Sequence, residues 1–143
     1  MPRNANKIRA EVLGRHVEIH SAFASMSRRA EKPRGLAAEY AGGPHIELRG
    51  FLDEPVRNVE RVTLSVHVDN EKAPREGLPP AVGAIIQVKP ELVVVVGLPD
   101  IDFDRAWTLA LSGLLRFCWL AFSAPKRRSA RIVTIDLSTT SLE

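Results

Sequence analysis

The chain has 143 residues, 45% of them hydrophobic and 26% charged, which fits one globular domain spanning 1–143 and excludes wholesale disorder. Nine glycines and ten prolines without a period exclude collagen-like and low-complexity classes, and a single cysteine excludes an internal disulfide. The net charge of +3, from 20 Lys+Arg against 17 Asp+Glu, is too small an excess to mark a dedicated nucleic-acid binder by itself.

Residues 1–15 hold no apolar run of the length a signal peptide needs and read as an N-terminal arm. With Cys118 as the sole cysteine, the expected compartment is a reducing cytoplasm. Arg15 to Phe23 alternates, with Val17, Ile19, Ser21 and Phe23 on one face and His16, Glu18 and His20 on the other, the pattern of a half-buried strand. Arg28 to Gly43 is mixed and basic, and Gly42-Gly43-Pro44 is expected to break any element. His45 to Asp53 alternates again, and Arg61 to Asp69 is the clearest strand, with Val62, Leu64, Val66 and Val68 sharing a face.

Residues 69–80 combine charges, glycine and prolines and read as a long surface loop. Val82 to Val88 and Leu92 to Leu98 are β-branched apolar runs separated by a bend at Lys89-Pro90. Val93 to Val96 does not alternate, so that strand is expected to be buried on both faces. A helix is expected near residues 102–113, because Phe103, Ala106, Trp107 and Ala110 recur at helical spacing, acids crowd its start and Gly113 offers a left-handed end. Leu115 to Ala124 returns to period two and is expected to form a hairpin with Ala130 to Thr139.

The fold expected from this pattern is mainly β: an antiparallel sheet or sandwich of about six to eight strands with one helix. It becomes α+β if the helix packs on a single sheet. From Ala106 to Pro125 the only charge is Arg116, and Lys126, Arg127 and Arg128 follow, which raises a membrane-spanning alternative. The leucines and phenylalanines there are offset by a central arginine costing about 2.5–3.5 kcal/mol, so no span is expected; helix plus strand competes with one apolar helix.

Function is written more faintly. No nucleophile elbow, dinucleotide fingerprint or phosphate-binding loop occurs, so no enzyme class and no cofactor is indicated. Asp100, Asp102 and Asp104 match the start of a calcium loop, but Arg105 and Leu111 replace its glycine and glutamate. The leading expectation is a non-enzymatic protein-binding or structural module of an assembly, homo- or hetero-oligomeric, with an apolar surplus at Val93, Val95, Phe117 and Trp119 as the interface. The first alternative is nucleic-acid contact through Arg28, Arg29, Arg34, Lys126, Arg127, Arg128 and Arg131. The second is a small metalloprotein using His16, His20, His45 and Glu47, should the first two strands pair so that these converge.

Overall fold

The computed structural model describes residues 12–31, 39–70 and 81–140. Seven strands and one helix follow in chain order: β1 (Val12–Glu31), β2 (Glu39–Val56), β3 (Val59–Val68), β4 (Gly83–Gln87), β5 (Leu92–Leu98), α1 (Asp100–Ser112), β6 (Phe117–Ser123) and β7 (Ala130–Ser138). The strands close into a barrel in the order β1-β2-β3-β5-β4-β7-β6, with β6 returning to β1 through pairs from Val12↔Ser123 to Glu18↔Phe117. A mainly β fold with one helix is therefore present, but it is a barrel and not a sandwich.

The sheet is also mixed. β3 and β5 run parallel, from Val62↔Leu92 to Val68↔Leu98, while the other neighbours are antiparallel. The cause is topological: β4 lies one position beyond β3 in the barrel, and β5 folds back antiparallel to β4 into the slot between them, beside β3. Alternation alone carries no information about that choice, because every strand shows one face inward in either architecture.

The interior is filled by side chains, as a small barrel requires. Val62, Leu64 and Val66 of β3, Leu92, Val94 and Val96 of β5, and Cys118, Leu120 and Phe122 of β6 are buried, and no polar side chain is buried with them among the described residues. The valine run of β5 is not buried on both faces. Val94 and Val96 point inward, whereas Val93 and Val95 lie on the outer wall and are only half-buried.

α1 closes one end of the barrel, inserting Phe103, Ala106 and Ala110 into the core. It sits between the end of β5 and the start of β6. Its first turn is not capped by an aspartate side chain. Instead the Asp100 backbone N–H donates to Asn70 Oδ1 at 3.0 Å, and Asn70 Nδ2 donates to Asp100 Oδ2 at 2.9 Å. Gly113 ends the helix at φ 74°, the left-handed conformation expected of it. Helix and strand thus share the 106–125 segment, and no helix among the described residues is long and apolar enough to cross a membrane.

Two expectations fail at the β1–β2 hairpin. Gly42-Gly43-Pro44 does not break the chain, because β2 runs through it. Gly42 and Gly43 adopt φ 100° and 145°, which glycine tolerates, and Pro44 lies where β2 has only β1 as a neighbour. A bulge between Ile19 and Ser21 then inverts the alternation of β1. Phe23, which period two places with Val17 and Ile19, is turned outward and is 44% exposed.

Candidate functional site

Two places on the barrel stand out, one at each end. At the end closed by α1, β1 and β2 outrun the barrel. β6 stops pairing with β1 at Glu18, and β3 stops pairing with β2 at His45, yet β1 and β2 continue together from Ser25↔His45 to Glu31↔Glu39. This projecting ribbon carries no strand on either outer edge among the described residues. Met26, at 71% exposure, and Phe23 stand near its base. A sequence read for alternation cannot see it, because the turn-forming Gly42-Gly43-Pro44 masks the continuation of β2.

At the opposite end three turns meet. The β2–β3 turn is the two residues Arg57 and Asn58, both at positive φ (48° and 66°) between the paired Val56 and Val59. Such turns favour Asn and Gly, and a non-glycine residue there costs about 1 kcal/mol or more. The Arg57 guanidinium offsets this by donating to the carbonyl oxygens of Arg127 and Pro125. Those carbonyls belong to the β6–β7 turn, where Lys126 pairs with Ser129 and Arg127 takes φ 60°. The β4–β5 connection, which contains the cis Lys89–Pro90 peptide, completes the rim. The result is a cavity of about 460 Å³ lined by Arg57, Lys89, Arg127, Arg128, Ile86, Gln87 and Val88, four cations and no carboxylate.

The expected basic residues are thus divided. Lys126, Arg127 and Arg128 gather at this end, Arg131 lies on β7, and Arg28 lies on the ribbon at the far end. Arg34 and the Arg29 side chain lie outside the described residues. Arg57 and Lys89 were not singled out by sequence reasoning. Each is one cation in a short turn, and only the closure of the barrel brings them to the Lys126–Arg128 turn.

The expected apolar interface is divided as well. Val93 and Val95 lie on β5, Phe117 and Trp119 on β6, with β4 and β7 between. Trp119 is half-covered within its own chain. It packs tilted against His16 at 4.6 Å between ring centroids and lies across Gly14, where an added methyl group would fall 2.1 Å from the indole.

The histidines do not converge. β1 and β2 do pair, but the register sets His16 beside Asp53, to whose Oδ1 its backbone N–H donates at 3.0 Å, and sets His45 opposite Ser25. Those levels are about 26 Å apart along β2 at ~3.3 Å per residue. His20 packs edge-on against Phe51 at 4.9 Å, His45 Nδ1 shares a hydrogen bond of 3.0 Å with Ser25 Oγ, and Glu47 pairs with Arg49 at 3.4 Å. Among the described residues no three His, Cys, Asp or Glu side chains stand close enough to hold a metal ion. Cys118 faces the core, where burial first and the Asp136 charge second push its thiol pKa far up.

Comparison of the chain with family models, curated proteins and solved structures gives no match.

Proposed function

We infer that this protein is a non-enzymatic, protein-binding module of an assembly, and that it docks through the β1–β2 ribbon onto a second copy of itself. The observation that supports this reading is a two-stranded ribbon, open-edged among the described residues, on an otherwise closed barrel. A two-stranded ribbon alone is marginally stable in water, and the outer edge of such a ribbon is a template for another strand. Pairing edge to edge about a two-fold axis satisfies both ribbons at once. The half-buried outer valines of β5 are secondary to this, because their neighbours already cover part of them.

Native mass spectrometry of untagged protein, over a concentration series, tests the reading. The expected result is a defined oligomer that Met26→Pro converts to monomer with little change in melting temperature, since Met26 lies outside the barrel core. Wild-type protein that stays monomeric throughout, or an oligomer indifferent to Met26→Pro, overturns it.

A further inference from the structure

The barrel end opposite α1 is independent of the ribbon and has chemistry of its own. Arg57, Lys89, Arg127 and Arg128 line one concavity whose lining offers no carboxylate to neutralise them. Arg57 is held by the carbonyls of Pro125 and Arg127, so its planar group is fixed in the rim. Four cations drawn together by three separate turns repel one another, and an anion seated among them relieves that repulsion.

A second surface adjoins it. Val62 of β3 pairs with Leu92 of β5, so the connection carrying Lys89 runs beside the first residues of β3, where Arg61 stands opposite Phe51. Phe51 is 42% exposed on the outer wall. With His20, Arg49, Arg61, Thr63 and Glu91 it lines a shallow cavity of about 360 Å³. Near this wall Glu47 pairs with Arg49 at 3.4 Å, and Glu91 accepts from Thr63 Oγ1 at 3.2 Å. The Arg61 side chain makes no ion pair or hydrogen bond with the described residues. An exposed ring flanked by arginines, next to a cationic pocket, has the composition of a surface that holds a phosphate in one place and stacks a base in the other.

We propose that this end of the barrel binds single-stranded nucleic acid, with backbone phosphates in the Arg57/Lys89/Arg127/Arg128 pocket and a base on Phe51. A duplex, whose bases are stacked inside, has nothing to give Phe51.

Fluorescence anisotropy with labelled dT20 and with a 20-base-pair duplex tests the proposal. With four phosphate contacts at a slope of about 0.7 each, dT20 affinity falls about fiftyfold between 50 and 200 mM salt. Arg127→Glu combined with Arg128→Glu leaves the backbone carbonyls that hold Arg57 in place; it is expected to weaken dT20 binding at least tenfold at an unchanged melting temperature. Phe51→Ala is expected to weaken dT20 about fivefold or more and to leave duplex binding unaltered. The Met26→Pro variant retains dT20 binding, which separates this proposal from the ribbon reading. Absence of dT20 binding at 50 mM salt, or binding indifferent to charge reversal, overturns the proposal. So does displacement of dT20 by micromolar ATP, which assigns the pocket to a free nucleotide. A preference for phosphatidylserine vesicles over dT20 overturns it in favour of a membrane surface.

Discussion

At the residue scale the structure turns on which way single side chains point. Period two correctly sends Leu64 and Val66 inward, because β3 has no bulge in that stretch. It misplaces Phe23, because one bulged residue shifts everything beyond it to the other face, and no local pattern marks the bulge. Cys118 obeys its alternation and lies in the core, as its neighbours Phe117 and Trp119 on the opposite face imply. Its consequence is measurable. Burial, with the Asp136 charge behind it, raises the folded thiol's pKa, whereas the unfolded chain titrates near the ordinary value of 9.0. Above that pH the unfolded state binds fewer protons than the folded one, so the stabilisation is full below it and declines as pH rises through it. The slope approaches about 1.4 kcal/mol per pH unit. Denaturant melts at pH 8 and pH 10 are expected to show this decline in wild type and to show less of it in Cys118→Val; equal declines refute the assignment. The same burial keeps the native thiol unreactive toward a disulfide reagent until the barrel unfolds.

At the element scale the helix was the most legible piece. The recurrence of Phe103, Ala106 and Ala110 along one face, with Gly113 as terminator, is a local code, and the structure extends the helix only to Asp100 at its start. What the sequence did not state is what that face covers. It plugs the barrel end, and Phe103 is the largest side chain it inserts, 2% exposed and tilted against Trp107 at 5.9 Å. Phe103→Ala leaves a void against the β1, β3 and β5 ends that a closed barrel cannot collapse to fill. The expected loss is about 3–5 kcal/mol in chemical denaturation. Ile101→Ala, on the exposed side of the same helix at 68% exposure, is expected to cost less than about 0.5 kcal/mol. Comparable losses for the two variants are incompatible with the helix acting as a plug.

At the scale of the whole molecule, the decisive features are long-range and leave no mark in any window of sequence. Closure depends on β1 meeting β6, elements about a hundred residues apart, and the parallel β3–β5 pair depends on β5 lying between β3 and β4 in the barrel. The cationic end and the open ribbon are both products of that topology: the first gathers turns from three hairpins, the second is the length by which one hairpin exceeds the rest. Closure also divides the molecule into regions of unequal stability. Leu64 and Val94 belong to strands paired on both sides within the core, so their amides exchange with solvent through global unfolding. Ser25 to Ser27 pair in the sheet with β2 alone, with no core residue beneath them, so in a dilute monomer their amides exchange by local opening, orders of magnitude faster. Edge-to-edge association gives the ribbon a second partner and removes that difference. Native-state hydrogen exchange below and above the association concentration is therefore expected to show barrel protection that hardly changes and ribbon protection that rises with assembly. A ribbon as protected as β3 and β5 in the monomer, or one unprotected in the oligomer, shows that the ribbon is not where the copies meet.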